Sequence, residues 1–202
     1  MDKFDLPNGC YDLPSGKLAN VATCLEMRAA VLQPQLPWPD GVGLRRFGPE
    51  NVSDYRDVFR RVGQDLLWFS RLIIPLAELE AILAHPDVEA FVLERDGQPL
   101  GLLDLDFRER LDCELAFFGL VPQAVGSGLG KVLMAEAVRR AFGRNIDRLW
   151  VHTCSNDHPH ALPFYVKAGF KPFKRMLEIH DDPRLSGHLS RDAAPQIPLL
   201  TD

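Results

Sequence analysis

The chain of 202 residues is long enough for one domain with an elaborated end, and its 46% apolar content suffices for a core. A formal net charge of −5 argues against general nucleic-acid binding, which needs a basic surface, and no apolar run reaches the length of a membrane span. Four cysteines with no C-x-x-C pair, and an acidic, polar start without a signal-peptide pattern, point to a reduced, cytoplasmic protein.

Residues 1–42 are irregular and rich in proline, apart from a β-like piece at about Leu18–Met27. Pro34, Pro37 and Pro39 surround Trp38 in a loop. This stretch reads as an N-terminal extension, an arm packed on a main domain over residues 43–180; the alternative is that it borders an acceptor site or a partner chain. A short strand follows at Val42–Phe47. Pro49 then opens a helix carrying Val52, Tyr55, Val58, Phe59 and Val62 on one face and ending at Gly63. After the apolar piece Leu66–Phe69, Pro75 starts another helix through Leu76, Leu79, Ile82 and Leu83. Val88–Arg95 and Leu100–Phe107 read as a hairpin about Asp96-Gly97.

Asp112–Leu120 is the next strand. Pro122 stops it, and Gly126, Gly128 and Gly130 lead into a helix with Leu129, Val132, Leu133, Ala137 and Ala141 on its apolar stripe. A glycine-rich turn at a helix N-terminus offers unpaired amides and partial positive charge, so it suits phosphate. A P-loop is excluded because Val125 and Val132 occupy its Gly and Ser/Thr positions; a dinucleotide fingerprint lacks its spacing and its preceding βαβ unit. Further on come a β-like run at Leu149–Thr153, a helix carrying Leu162, Tyr165 and Ala168, and a strand at about Phe170–Glu178. The tail over 181–202 is polar with scattered prolines, coil with one last strand expected near Ile197–Leu200. Cys154, His152, Asp157, His158 and His160 lie close together in sequence, but without regular ligand spacing no metal site is expected.

Two segments carry a resemblance. Leu120-Val121-Pro122-Gln123-Ala124-Val125-Gly126-Ser127-Gly128-Leu129-Gly130 resembles the acyl-CoA loop of the GCN5-related N-acetyltransferases (GNAT), roughly V-x-P-x-x-[RQ]-G-x-G-x-G. Val125 departs from it, standing where the family usually has Arg or Gln. The second segment resembles the family's N-x-x-A-x-x-x-Y-x-x-x-G-F, with Ala161, Tyr165, Gly169 and Phe170 in place and His158 where the usual Asn would be. The resemblance implies an α/β GNAT acyl-CoA N-acyltransferase fold: a mixed, mostly antiparallel central sheet flanked by helices, here with an N-terminal extension. It implies acetyl-CoA as co-substrate, no metal, and a small-molecule or peptide amine as acceptor, with neither nucleic acid nor membrane as partner; a homodimer is left open.

Acetyl transfer to an amine needs a base, because an alkylammonium of pKa near ~10 is no nucleophile at neutral pH. Glu114, opening the strand before the glycine turn, resembles the family's glutamate acting through water; Asp104, Asp106 and Asp112 are alternatives. Tyr165 matches the family's general acid at the CoA sulfur. An oxyanion donor is expected among the amides of Phe118–Leu120, since the Pro122 nitrogen cannot donate. For the co-substrate, the resemblance implies main-chain pairing by Gly119, Leu120 and Val121, and amides of Gly126, Ser127, Gly128, Leu129, Gly130 and Lys131 around the pyrophosphate. Asn156 or His158 would contact the pantetheine, and Lys131, Arg139, Arg140 and Arg144 are candidate phosphate contacts. The acceptor would lie beside Gln64–Pro75, where Trp68, Phe69 and Arg71 suggest a partly aromatic pocket. Two other readings stay open: a non-catalytic CoA-binding module, and a nucleotide-binding protein with a decayed P-loop.

Overall fold

Apolar residues at i, i+3, i+4 and i+7 give the first long helix one sticky face, and that face decides where it lies. In the computed structural model, which describes residues 7–28 and 36–201, this helix is α1 (Val52–Gly63), with Val52, Tyr55, Val58, Phe59 and Val62 buried as the spacing predicts. Short α2 (Ser70–Ile73) and α3 (Leu76–Ala84) follow, the latter opened by Pro75 as its N-cap. The strands are β1 (Lys17–Met27), β2 (Val42–Arg46), β3 (Val88–Arg95), β4 (Gln98–Asp106), β5 (Asp112–Leu120), β6 (Arg148–Cys154) and β7 (Lys171–Asp181). Helices α4 (Leu129–Phe142) and α5 (Ala161–Lys167) precede β6 and β7 respectively. Pro34 of the proline loop lies outside the described residues.

The seven strands form one sheet in the order β2-β3-β4-β5-β6-β1-β7. Every neighbouring pair is antiparallel except β5 and β6. The β3–β4 hairpin turns at Asp96 and Gly97, both at positive φ (51° and 75°), the handedness that matches strand twist.

Strand alternation sorts the helices onto two faces. Ala90 and Asp104 are cross-strand partners, and the Tyr55 hydroxyl donates to Asp104 Oδ2 at 2.5 Å, so α1 covers that face. Phe91 and Leu103 point the other way, and Arg140 of α4 stacks over the Phe91 ring at 4.2 Å. The core fills both sides of β3, β4 and β5.

The strand expected in the N-terminal arm is β1, and it sits inside the sheet between β6 and β7. Ala22–Met27 pair with β6 while Lys17–Glu26 pair with β7. The sheet therefore runs across the boundary drawn at residues 42 and 43. The tail differs from expectation as well, because Ile197–Leu200 form no strand. That chain is instead gathered around Arg184, which is 2% exposed and bonds Asp182 (2.7 and 3.0 Å) and the carbonyls of Ala193 and Ile197 (3.1 and 2.8 Å). A guanidinium whose donors meet a carboxylate and main-chain oxygens can be buried without an orphaned charge. Gln196 in this tail donates to the Asp65 carbonyl at 3.0 Å, tying it to the end of α1. Among the described residues no helix is long and apolar enough to cross a membrane.

Candidate active site

β5 and β6 run parallel for only three residue pairs, Asp112–Arg148, Cys113–Leu149 and Glu114–Trp150, and then part. Beyond Glu114 one edge of β5 faces a cavity of about 900 Å³ instead of another strand. An unpaired strand edge is a row of donors and acceptors ready to take an extended, amide-bearing ligand. Leu115, Ala116, Phe117, Phe118, Gly119 and Leu120 line this cavity, whereas Val121 is buried and spends its amide on the Leu100 carbonyl at 2.9 Å.

A bulge shapes the edge. Asp104 faces Phe117 but Leu105 faces Leu115, so Ala116 is an extra residue in β5. The bulge keeps Glu114 and Phe117 on the α1 face and turns Phe118 toward α5, where its ring lies 6.2 Å from that of Tyr165. At Gly119 any side chain is excluded by packing: a Cβ there would lie 2.5 Å from Val62 Cγ1 and 3.2 Å from the Trp68 ring.

Pro122 and Val125, on the approach to the glycine turn, line the cavity, whereas Gly126, Gly128 and Gly130 do not. Gly126 and Gly128 have φ of 83° and 85°, with open space where a side chain would stand. Gly128 is the N-cap of α4. The amides alternate in availability. Those of Val125, Ser127 and Lys131 donate to the carbonyls of Pro122, Ala124 and Gly128. The amides of Gly126, Gly128 and Gly130 have no acceptor among the described residues. Of the six consecutive amides expected to wrap a pyrophosphate, the structure thus leaves the three glycine amides free and spends those of Ser127 and Lys131 internally. The Ser127 hydroxyl is also engaged, donating to the Ala124 carbonyl at 2.6 Å while the Leu129 amide approaches it at 3.4 Å. Three free amides at a helix N-terminus, two of them on glycines with open space where a side chain would stand, fit a diphosphate.

Arg139, Arg140 and Arg144 are not at this end. Arg139 and Arg140 stand in the last turn of α4, about 15 Å from its start at 1.5 Å per residue, and Arg144 lies just past the helix. There they pair with Glu136, Glu89 and Asp87 at 2.7–3.4 Å. Of the four basic candidates only Lys131 stands in the first turn.

Tyr165 on α5 lines the cavity and packs against the rings of Phe164 and Phe170 at 5.8 and 5.9 Å. Its hydroxyl has no hydrogen-bond partner among the described residues. Burial, with the negative charge of Asp157 adding to it, raises its pKa well above the ordinary tyrosine value. Asn156 and His158 line the cavity in the loop before α5, and His158 Nδ1 accepts from the His160 amide at 3.2 Å. Between them Asp157 ties the loop down. It accepts from Thr153 Oγ1 and the Cys154 amide, both at 2.9 Å, and from Trp68 Nε1 at 3.0 Å. This last bond closes the cavity between the α1–α2 connection and the β6–α5 loop.

On the α1 face Glu114 does not itself line the cavity; the neighbouring side chain on β6 that does is His152. His152 Nδ1 lies 3.7 Å from Glu114 Oε1. Interaction with the Glu114 carboxylate raises the His152 pKa above its ordinary value, against the opposing effect of burial. The other carboxylates proposed as bases are engaged elsewhere. Asp104 is buried under Tyr55, and burial pushes its pKa up to about 6. Asp106 holds Arg108 and Asp112 holds Arg148. Arg71 turns away from the cavity, its guanidinium 5.1 Å from the Phe117 ring centroid, while Trp68 and Phe69 line the wall as expected. Among the described residues no three His, Cys, Asp or Glu side chains are arranged to hold a metal ion.

His152 was legible only as one of several histidines near Cys154. Its pairing with Glu114 needs β5 and β6 to be parallel neighbours, which no local pattern shows.

Comparison with known proteins bears on the family and the fold. The sequence profile of the acetyltransferase (GNAT) family matches residues 52–170. The uncharacterized protein YxbD of Bacillus subtilis is 31% identical over 111 residues, covering 55% of this chain and 63% of the relative's own length. Among solved structures, a GCN5-related N-acetyltransferase from Sphaerobacter thermophilus superposes with a TM-score of 0.60 at 17% identity, over 81% of this chain and 52% of that one. An aminoglycoside acetyltransferase from an uncultured soil metagenomic sample gives a TM-score of 0.54 at 15% identity, over 64% of this chain and 88% of that one.

Proposed function

The chain belongs to the GNAT acetyltransferase family, and from that premise we propose that it moves an acetyl group from acetyl-CoA to a primary amine by direct attack within one cavity. The observation that carries this reading is the parting of β5 and β6 after three residue pairs, which opens an unpaired strand edge onto a cavity also lined by Pro122 and Val125, the residues leading into the glycine turn. In this reading the edge from Leu115 to Leu120 pairs with the pantetheine arm. The amides of Gly126, Gly128 and Gly130 receive the pyrophosphate. An amide among Phe118–Leu120 donates to the thioester oxygen, which gains negative charge as the amine attacks.

His152 takes the amine proton in this scheme, because it is the basic side chain of the pair that faces the cavity, with Glu114 behind it. Only the neutral ring accepts a proton, so kcat should rise as pH passes upward through the His152 pKa. The neighbouring carboxylate raises that pKa and so places the rise above the ordinary histidine value near ~6.5. Glu114→Gln removes the carboxylate charge, so the acid limb of a kcat–pH profile should move to lower pH with a lower plateau, since a weaker base accepts the proton less well. A limb unmoved by the substitution would assign the proton to another group.

The reading as a whole is tested with purified protein and acetyl-CoA. CoA should raise the melting temperature, while ATP and GTP should not. Acetyl-CoA with a panel of primary amines should release free thiol in step with acetylated product. CoA binding with no thiol release from any amine would leave a non-catalytic CoA-binding module, and a shift with ATP or GTP instead of CoA would make the glycine turn a nucleotide site.

A further inference from the structure

One wall of the cavity is built by the two strands nearest the ends of the described chain. Asn20 of β1 and Glu178 of β7 are direct cross-strand partners, so their side chains rise on the same face, and both line the cavity. Asn20 is 5% exposed. Its amide nitrogen lies 2.9 Å from His180 Nε2, and its Oδ1 is buried without a hydrogen-bond partner.

The chemistry of His180 orients that amide. His180 Nδ1 lies 3.0 Å from the Asp181 carbonyl, which can only accept. In the neutral ring Nδ1 therefore carries the hydrogen and Nε2 is the acceptor, so Asn20 donates through its nitrogen and Oδ1 faces the other way. A buried amide oxygen without a donor is costly, and native structures keep one where water or a ligand completes it.

Apart from the histidines, the surrounding charge has one sign. Glu178, Asp157 and Asp65 line the cavity, and no lysine or arginine does among the described residues. Asp157 is already bonded three times. The Glu178 carboxylate has no hydrogen bond or ion pair among the described residues.

We propose that Asn20 Oδ1 and Glu178 form a subsite that receives the acceptor as an alkylammonium ion. The acceptor class that follows is a primary alkylamine, its apolar part against Trp68 and Phe69. A free α-amino acid, whose carboxylate would meet Glu178, is disfavoured. The ammonium offers three hydrogens; one meets Asn20 Oδ1, one the Glu178 carboxylate, and the third is left for His152. This inference rests on the acetyltransferase reading for its consequence in turnover, but the binding it predicts can be measured without turnover.

Phenethylamine, phenylalanine and aniline, which is neutral at pH 7, serve as probes. Wild-type protein should acetylate phenethylamine in preference to phenylalanine. Glu178→Gln and Asn20→Ala should each raise the KM for phenethylamine about tenfold, the loss of one charge-assisted hydrogen bond. They should leave the KM for acetyl-CoA within about twofold, and should raise that for aniline, which carries no charge, less than that for phenethylamine. Asn20→Asp, which keeps an acceptor oxygen and adds charge, should restore or lower the phenethylamine KM. Calorimetric titration of phenethylammonium into the CoA-saturated protein should show the same order of affinities. Failure of wild-type protein to bind CoA would count against the acetyltransferase reading itself. CoA binding with equal phenethylammonium affinity in wild type, Glu178→Gln and Asn20→Ala, or with no phenethylammonium binding at all, overturns the subsite.

Discussion

Gly128→Glu should abolish CoA binding, while Gly128→Ala should only weaken it. The pair separates two effects. Both substitutions put a Cβ on a residue at φ 85°, a left-handed conformation costing an L-residue about 1–2 kcal/mol, so both lower stability similarly. Nothing of the protein stands within 4 Å of that Cβ, so neither variant creates a clash. Only the glutamate adds negative charge to the end of α4 that carries the free amides. Like charges about 4 Å apart repel by about 4 kcal/mol at an effective dielectric near ~20, roughly a thousandfold in affinity. Titration calorimetry with CoA on both variants, alongside their melting curves, measures this. CoA affinity in Gly128→Glu equal to that in Gly128→Ala would remove the phosphates from the glycine turn.

Tyr165→Phe should cut kcat by about ten- to a hundredfold while leaving stability and acetyl-CoA affinity nearly unchanged. The structure makes this a clean subtraction. The ring keeps its contacts with Phe118, Phe164 and Phe170, and the lost hydroxyl has no hydrogen-bond partner among the described residues. The raised pKa specifies the hydroxyl's task. A tyrosine whose pKa stands well above its ordinary value of ~10 holds its proton more tightly than a thiolate of pKa near ~8.5 can take it. It therefore helps as a hydrogen-bond donor to the departing sulfur rather than by completed proton transfer. A hydrogen bond to a charged group contributes about 1.5–3 kcal/mol, which gives the stated range. The same raised pKa keeps Tyr165 protonated through pH ~10, so no basic limb from this residue should appear below that pH. Single-turnover rates for wild type and Tyr165→Phe decide the matter, because they exclude product release. Equal rates would leave Tyr165 a packing residue.

What could be read in advance divides along the range of the interactions. The apolar face of α1, the Pro75 start of α3, the Asp96-Gly97 turn and the glycine turn before α4 are patterns within a dozen residues, and local chemistry dictates them. The place of β1 is not such a pattern. Leu18–Met27 reads as a strand anywhere in a sheet, and the seat between β6 and β7 depends on partners far along the chain. The site divides similarly. Tyr165 and the three glycines could be proposed from sequence because each belongs to a compact motif. His152, Asn20 and Glu178 converge only after the sheet has formed. The arginines at and just past the end of α4 misled because a helix displays its charges alike at both ends; only the fold brings Glu89 and Asp87 to Arg140 and Arg144. Arg184 was hidden for the same reason, since its acceptors besides Asp182 are main-chain carbonyls invisible in a string of letters.

The seat of β1 also sets a timetable. On the ribosome this strand emerges before either neighbour exists, and its contacts to Ser155 and His180 span 134 and 160 residues. Until β7 has emerged, β1 lacks one of its two edges, and Asn20 has no opposite number. Helix α1 and the β3–β4–β5 meander have no such wait, because their pairings are local. Synthesis should therefore pass through a stage with half a sheet assembled and an early strand unpaired, the kind of exposed edge that recruits chaperones or neighbouring chains. Loop closure over so long a stretch makes docking of β1 the slow, late event, and the acceptor wall comes into being only with it.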